Sequence, residues 1–525
     1  MVYDVIVVGG GIAGLTAAAF LAKAGKSVLL CEKENSCGGL VNTFERDGFV
    51  YDGGIRAMEN SGVLFPMLKQ LGLEIEFVKN NISLGIEDKV IRIHSEKSVN
   101  EYQALLSELY PDSREEISEI IVQIRKIMKY LDVQYGIDNP AFLDMKEDRE
   151  YMIKEIIPWM FKYALTYRKI AALNTPVEPF LKRFTNHQPL VDIIAQHFFQ
   201  DTPAFFALSY FKLYLDYYYP IGGTGKVIEN FVSFINENGG LISTGTEISS
   251  VDPGENRVVD SNGNILQYRR LVWAADLITL YQHIDLTKIR NDRIKKEIQT
   301  RYANIEKGKG NDSIFTLYLA ANLPLDYFAS KHSEHFFYTP SKAGQSIAGK
   351  LPINGDKDSI KNWLQRYFAL TTYEISCPIM RDSTLAPEGK TGLVISVLFD
   401  YQLTKQIQEM GWYEEFKSLA EHLMIETLEN SIYPGIRNAI LHQFSSTPLT
   451  IQRYTGNTEG AITGWSFTND HMPAENRLLR IFNATKTPIP GIVKAGQWSF
   501  SPSGLPISIL TGKLAADRVN KDLST

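Results

Sequence analysis

The segment at residues 3–32 constrains the fold of this chain more than any other feature. Apolar residues lead into a Gly-x-Gly-x-x-Gly turn at Gly9, Gly11 and Gly14, an alanine-rich segment follows, and a second apolar run ends at Glu32. Strand, glycine turn, helix, strand and acid in this order are typical of a βαβ unit that binds a dinucleotide at the helix N-terminus. A carboxylate at Glu32 can bind both ribose hydroxyls and disfavours a 2′-phosphate. We therefore predict a bound adenine dinucleotide rather than a glycine-rich structural turn.

Composition sets the broad class of the protein. A chain of 525 residues is too long for one ordinary hydrophobic core, which predicts two domains. A composition of 44% apolar and 22% charged residues is typical of a soluble globular protein. A net charge of −6 without a long basic run argues against nucleic acid as a partner. Cys31, Cys37 and Cys377 are odd in number and dispersed, which favours a reducing cytoplasm over a disulfide framework.

One uncharged stretch, residues 5–22, is long enough to imitate a membrane span. It contains the glycines of the phosphate turn and lacks a basic segment before it, so we interpret it as part of the globular fold. We expect no other segment to cross a membrane.

The middle of the chain is predicted to be helical from about residue 60 to 220. Ser113 and Glu116 predict a capping box before a helix with an apolar stripe from Ile117 to Leu131. Residues 205–219 contain eight aromatic side chains. Core packing is one interpretation of them; the wall of an apolar substrate tunnel, or, together with residues 151–170, a face that touches a membrane, is the other.

A new unit begins at residues 220–226. This segment is not a phosphate-binding P-loop, because Val227 follows Lys226 where Ser or Thr is required. We predict a helix to about Asn238 and a hairpin turn at Asn262-Gly263. Further strands are predicted at residues 241–243, 247–251, 271–276, 313–320, 393–399 and 491–496, and a helix at residues 412–431.

Two glycine pairs and the C-terminus suggest more backbone beside the same ligand. Gly38-Gly39 follows Glu32 closely, and Gly53-Gly54 follows a short strand, where glycine lets a flat ring approach the main chain. Surface turns are the alternative interpretation. Near the C-terminus a short strand ends in Gly496, and Pro506 lies in the first turn of a final helix, a favoured position for proline.

In this order the motifs resemble the FAD-dependent amine oxidase superfamily, and within it the branch of phytoene desaturases, carotenoid isomerases and retinol saturases. The resemblance covers nearly the whole chain. Its N-terminal motif is shared by many flavoproteins, whereas residues 383–390 and the C-terminal segment are more specific to the branch. The motifs that carry it are residues 9–14, Glu32, 37–39, 49–55, 219–226, 274–276, 383–390 and 495–507.

The resemblance implies FAD as the cofactor and an α/β fold. It implies a Rossmann-like FAD-binding domain of the glutathione-reductase type at residues 1–90, 221–290 and 480–525. A mixed α+β substrate domain, residues 91–220 and 291–479, is inserted into it. The implied cofactor-binding residues are Gly9, Gly11, Ile12, Ala13, Gly14, Glu32, Lys33, Gly38, Gly39, Leu40, Gly54, Ile55, Ile248, Ala275, Gly496, Gln497, Gly504, Leu505, Pro506 and Ile507.

Two positions depart from the pattern of the family. Leu40 stands where many relatives have Arg, and Gln497 stands where many have an acid. Glutamine can still hydrogen-bond a ribityl hydroxyl, so we expect cofactor binding to be retained. Residues 499–504 also lack the multiple glycines of many relatives, so the resemblance does not identify the substrate bound at this end of the site.

The chain carries no motif for nucleophilic or metal catalysis. There is no Ser/His/Asp arrangement and no His-x-x-x-His or Cys-x-x-Cys spacing, and His335, His442 and His471 are expected to be surface or satisfied core residues. Arg56 and Glu59 are the one polar pair expected near the flavin ring, where Arg56 would tune flavin charge; an exposed loop pair is the alternative. We therefore leave the catalytic side chains unassigned.

The sequence favours an FAD oxidoreductase that acts on C–C bonds of a long isoprenoid, polyene or lipid, as a desaturase, saturase or isomerase. A flavin amine oxidase and a non-catalytic carrier of prenyl or lipid groups are the alternatives. Without a second glycine motif, NAD(P)H is expected only as a transient reductant, and a partner protein, a quinone or oxygen would exchange electrons. We expect a cytoplasmic protein with peripheral membrane contact.

Overall fold

The computed structural model describes residues 2–144 and 146–524, in which two large sheets and two small ones are surrounded by helices. The strands in chain order are β1 Val2–Val8, β2 Val28–Cys31, β3 Thr43–Arg46, β4 Phe49–Asp52, β5 Met58–Glu59, β6 Phe77–Lys79, β7 Ile82–Ile86, β8 Lys89–Ile93, β9 Tyr217–Pro220, β10 Leu241–Ser243, β11 Ile248–Asp252, β12 Arg257–Asp260, β13 Ile265–Trp273, β14 Ser313–Ala321, β15 His335–Thr339, β16 Tyr373–Ser376, β17 Thr391–Phe399, β18 Ile440–Ser446 and β19 Ile492–Lys494.

The α-helices vary from single turns to the long helices α4 and α20. They are α1 Ile12–Lys23, α2 Leu64–Leu71, α3 Ser98–Leu109, α4 Arg114–Tyr135, α5 Arg149–Tyr151, α6 Ile157–Ala171, α7 Val177–Leu181, α8 Gln188–Ala195, α9 Ala204–Leu208, α10 Tyr210–Leu213, α11 Gly225–Glu237, α12 Leu277–His283, α13 Asp292–Ile305, α14 Leu325–Ala329, α15 Lys357–Leu370, α16 Tyr401–Glu409, α17 Tyr413–Glu429, α18 Ile436–Ala439, α19 Pro448–Thr455 and α20 Leu505–Ser524.

The first sheet has β1 near its centre. Strands β10, β2, β1, β13 and β19 run parallel, and β12 and β11 add an antiparallel edge to β13. The alanine-rich helix α1 packs on this sheet together with α11 and α20, because its small side chains allow close approach of the neighbouring helices. A parallel sheet covered by helices is the expected Rossmann-like arrangement.

The second sheet is built from strands that lie far apart in the sequence. Its order is β18-β14-β17-β16-β15-β7-β8, antiparallel except for the parallel pair β15 and β7. β14 and β17 form its buried centre, and α15 and α17 cover it with an aromatic core. The strands predicted at residues 313–320 and 393–399 are confirmed; the first ends one residue later than predicted, and the second begins two residues earlier.

Helices α3, α4 and α7–α10 form a third packed layer beside this sheet. The apolar stripe of α4 is buried as predicted, but the capping box is wrong: the side chain of Ser113 makes no capping hydrogen bond. The preceding 3-10 turn Pro111–Ser113 leads into α4 without an extended N-cap, so the geometry that a capping box needs is missing. Within the described residues, no helix is both long and apolar enough to cross a membrane.

Candidate functional site

A cavity of about 310 Å³ lies at the carboxyl ends of β1 and β2, where α/β sheets of this kind bind ligands. We call it cavity A. Its lining combines the first glycine turn, the Gly38-Gly39 pair, β11 and the start of α20. The two chain ends therefore meet around one cavity.

Glu32 is held at the edge of cavity A by the main chain. The Gly10 N–H donates to Glu32 Oε2 at 2.6 Å, and the Glu34 N–H donates to Oε1 at 2.9 Å. Each carboxylate oxygen keeps a further lone pair, so the carboxylate is oriented and can still accept hydroxyl hydrogen bonds. This arrangement fits an adenosine ribose.

The glycine turn has space for a ligand on one side only. A Cβ on Gly14 would collide with the carbonyl oxygen of Gly9, so Gly14 is required for packing of α1. A Cβ on Gly11 would meet no atom of the described residues within 4 Å, and Gly11 lines cavity A. The chain therefore leaves open the space in which a pyrophosphate would lie at the N-terminus of α1.

A second helix N-terminus faces the same region. Helix α20 begins at Leu505, and Gly504, Leu505 and Ser508 line cavity A. The positive end of a long helix stabilises negative charge near it. Such charge develops near N1 of a reduced flavin, so this position fits a flavin ring.

Most residues predicted from the sequence to bind cofactor line cavity A. The exceptions lie close by: Gly54 lines a neighbouring cavity, and Gly14, Pro506 and Ile507 pack beneath the two helix N-termini. Those that line cavity A are Gly9, Gly11, Ile12, Ala13, Glu32, Lys33, Gly38, Gly39, Leu40, Ile55, Ile248, Ala275, Gly496, Gln497, Gly504 and Leu505.

Sequence reasoning missed the part of cavity A that residues 454–457 and 462–463 form. The loop is fixed by Asp276, whose Oδ2 accepts hydrogen bonds from the Thr458 N–H at 2.9 Å and from Thr458 Oγ1 at 2.8 Å. Gly456, with φ of +75°, and Asn457 are a local signal for a turn in this loop.

Burial disfavours the thiolate form of the two cysteines beside cavity A. Burial raises the pKa of Cys31 to about 12, and it raises that of Cys37 to about 12 as well. Both thiols are protonated at neutral pH, and Cys31 is buried and Cys37 partly buried, which is consistent with packing roles rather than a covalent flavin link. The described residues also contain no group of three side chains placed to hold a metal ion.

A second cavity of about 260 Å³, cavity B, adjoins cavity A. Six residues line both cavities and form their shared wall: Leu40, Ile55, Ile462, Thr463, Gly504 and Leu505. Aromatic side chains from the segment 205–219 face cavity B, namely Phe206, Tyr210, Tyr214 and Tyr217. The structure thus gives these aromatics a cavity-lining position, which was the alternative to plain core packing.

One side of cavity B is a row of side chains at one register of the second sheet. Ser446 pairs with Thr316, Thr316 with Ser396, and Ser396 with Glu374, on β18, β14, β17 and β16. All of these residues line cavity B. The row is polar although the sheet around it is an apolar core, so cavity B is not purely hydrocarbon-lined.

Arg56 is bound to this polar row. Its Nη2 donates to Ser396 Oγ at 2.6 Å, its Nη1 donates to the carbonyl of Gly54, and Ser396 Oγ lies 2.9 Å from Thr316 Oγ1. Arg56 is buried, so the sequence interpretation as an exposed loop pair is wrong for it. It does not pair with Glu59; the two residues line cavity B separately.

Two further groups give cavity B titratable chemistry. Burial, and then the charge of Asp216, raises the pKa of Glu59 to about 7, and the described residues offer its carboxylate no hydrogen bond or ion pair. His335 Nε2 lies 2.9 Å from Glu374 Oε1 and burial lowers the pKa of His335. No sequence pattern distinguished His335 from a satisfied core residue.

Comparison with known proteins agrees with this geometry. The family described as an NAD(P)-binding Rossmann-like domain matches residues 7–71. Prolycopene isomerase of Daucus carota is 24% identical over 99% of this chain and 80% of its own length. Phytoene desaturase of Fusarium fujikuroi is 22% identical over 99% of this chain and 89% of its own length.

Among solved structures, cyclohexylamine oxidase of Brevibacterium oxydans is 13% identical and matches with a TM-score of 0.60 over 100% of both chains. This likeness supports the fold. The Rossmann-like match at residues 7–71 and the lining of cavity A both fit a bound dinucleotide cofactor. By sequence the chain is similar to curated members of the branch of phytoene desaturases, carotenoid isomerases and retinol saturases.

Proposed function

We propose that this protein is an FAD-dependent oxidoreductase acting on C–C bonds of a long apolar isoprenoid, polyene or lipid. The wall shared by cavities A and B carries the proposal, because it would bring a cofactor in cavity A within reach of a substrate in cavity B. When bound, the flavin supplies a two-electron acceptor or donor at N5. The protein supplies orientation and excludes water.

The residues proposed to hold FAD divide by cofactor part. Glu32 would bind the ribose, and Gly11 with the N-terminus of α1 would bind the pyrophosphate. Gly504 and Leu505, at the N-terminus of α20, would lie against the flavin ring. In cavity B, the tyrosines and Phe206 would bind the apolar chain of the substrate.

The proposal is tested with purified, FAD-loaded protein under anaerobic conditions. Prolycopene and phytoene are the first substrates to try, since proteins similar to this one are named for them. Desaturation, saturation and isomerisation are distinguished by product mass, which loses two hydrogens, gains two or stays unchanged. A panel of apolar polyenes and isoprenoids that gives no product and no change of flavin absorbance contradicts the proposal.

A flavin amine oxidase is the second candidate, favoured by the tyrosine-lined wall of cavity B. Flavin reduction by primary amines in the same assay, without reduction by polyenes, would establish it. A protein that purifies without flavin and does not bind added FAD would instead favour a non-catalytic lipid carrier.

We further propose that a partner protein, a quinone or oxygen exchanges electrons with the flavin, and that NAD(P)H acts at most transiently. The sequence has one glycine motif for a dinucleotide, at residues 9–14. Rapid stoichiometric flavin reduction by NAD(P)H alone at micromolar concentration would contradict this.

A further inference from the structure

The carboxylate of Glu374 has one oxygen that no described residue uses. Oε1 is paired with His335 Nε2 at 2.9 Å, whereas Oε2 has no hydrogen-bond partner among the described residues. The side chain is 34% exposed, and it lines cavity B. Glu374 therefore presents a free hydrogen-bond acceptor to a cavity that aromatic side chains also line.

The groups around Glu374 fix its charge. Burial alone would raise its pKa, but the hydrogen bond from His335 and the positive charges of Arg56 and Arg381 lower the pKa of Glu374. The carboxylate is thus ionised at neutral pH and acts only as an acceptor. A ligand group at Oε2 must donate a hydrogen bond.

Charge distinguishes between the two common donors, a hydroxyl and an ammonium. Arg56 donates to Ser396, the register neighbour of Glu374. Arg381 donates to Ser376 on the strand of Glu374, so two cations already lie near its carboxylate. An ammonium group would add a third positive charge to a buried site. A neutral hydroxyl fills the donor requirement without that cost.

The remaining walls define the rest of the ligand. Phe337 on β15 is the paired neighbour of Glu374 on β16. Tyr210, Tyr214 and Tyr217 line the same cavity. Tyr214, 2% exposed, has a hydroxyl for which the described residues offer no hydrogen-bond partner. An apolar chain would pack against these rings while its polar end lies at Glu374.

We infer that cavity B contains a hydroxyl-binding subsite at Glu374, and that the substrate is an apolar molecule with an alcohol group rather than a pure hydrocarbon. The inference rests on the proposed function for the remainder of the substrate. It adds the polar group that this chain selects. Glu374 is a binding residue in it, and His335 is a positioning residue.

The test is a titration of FAD-loaded protein with four matched C20 isoprenoids. Binding is measured by the quenching of tryptophan fluorescence. The ligands are geranylgeraniol, its methyl ether, the corresponding primary amine and the hydrocarbon in which methyl replaces the hydroxyl. The ether accepts hydrogen bonds and cannot donate one. A hydrogen bond to a charged group predicts that the alcohol binds about ten-fold or more tightly than the ether and the hydrocarbon.

Glu374→Gln replaces the charged acceptor by a neutral one of the same shape. We expect the preference for the alcohol over the ether to fall about five- to ten-fold, with hydrocarbon binding unchanged. Glu388→Gln is the matched control, because Glu388 is exposed and lines neither cavity. The comparison of ligands on the unsubstituted protein needs no variant to fold.

Equal binding of alcohol and ether, tightest binding of the amine, no binding of any ligand, or an unchanged preference in Glu374→Gln overturns the subsite. Failure of the proposed function is seen separately. Product formation from polyenes without a preference for the alcohol removes only the subsite. A preference for the alcohol without any redox turnover removes only the proposed reaction.

Discussion

Two glycines of the same turn meet different surroundings, and this difference separates folding from cofactor binding. Gly14 packs against Gly9, where a Cβ would collide with main-chain oxygen, whereas a Cβ on Gly11 points into cavity A. Gly11 also has a φ of −71°, which alanine adopts without strain.

We therefore predict opposite effects for alanine at these two positions. Gly11→Ala keeps the flavin-free unfolding free energy within about 0.5 kcal/mol, because no protein atom is displaced. It weakens FAD binding at least about ten-fold, since the methyl group occupies ligand space. Gly14→Ala lowers the unfolding free energy by about 2 kcal/mol or more. Urea unfolding and FAD titration measure both; full FAD affinity in Gly11→Ala would show that cavity A binds something else.

Glu59 gives the protein a pH-dependent stability with a definite sign. Its pKa is raised from 4.5 to about 7 in the folded protein, so the folded state holds a proton that the unfolded state has lost. Stability is therefore highest below the unfolded pKa and decreases as pH rises through the window from 4.5 to about 7.

Glu59→Gln removes this titration. We expect the variant to gain about 2 kcal/mol relative to the unsubstituted protein between pH 5 and pH 8, measured from urea midpoints across that range. Glu388→Gln, at an exposed position, serves as the control. A stability difference that stays constant with pH would mean that Glu59 is ionised in the folded state.

Helix α6 and the π-helix turn Met152–Ile156 before it present apolar side chains to solvent. Ile153 is 54% exposed, Ile157 49%, Phe161 71% and Leu165 79%, and their spacing places them on one helix face. Lys154, Lys162, Arg168 and Lys169 lie on the same segment. An apolar face with basic neighbours is typical of helices that lie on anionic membranes.

This helix carries the prediction of peripheral membrane contact. We expect the protein to co-sediment with vesicles that contain phosphatidylserine, and Phe161→Asp to reduce the bound fraction about five-fold or more. Phe482→Asp is the matched control, since Phe482 is 64% exposed on a different element. Equal losses for both variants, or no binding by either protein, would remove the membrane surface.

The elements that the sequence predicted well are those with local signals. Glycine turns, alternation and the Asn262-Gly263 hairpin placed β1, α1, β10 and β11 and the turn between β12 and β13, although β13 ends at Trp273 and not at residue 276 as predicted. The polar row at Ser446, Thr316, Ser396 and Glu374 has no such signal, because its members lie on four strands and become neighbours only by sheet register. Cavity A could therefore be predicted in outline, and the chemistry of cavity B could not.

At the scale of the whole molecule, cavity A joins distant parts of the chain. Its lining includes the N-terminal glycine turn, residues 454–457 and the start of α20, and α20 packs on α1. A ligand that binds this cavity contacts the first sheet. It also contacts the shared wall, whose residues line cavity B as well. Binding should therefore stabilise the whole chain rather than one local segment.

FAD saturation is expected to raise the thermal unfolding temperature of the whole protein. At a free FAD concentration of one hundred times Kd, mass action adds about 2.7 kcal/mol to the unfolding free energy. Because a large chain has a large unfolding entropy, this corresponds to an increase of about 2–4 °C. Scanning calorimetry of flavin-free and FAD-loaded protein, with NADP as a control that carries a 2′-phosphate, measures it. A separate transition that FAD leaves unmoved would mean that the second sheet unfolds independently of cavity A.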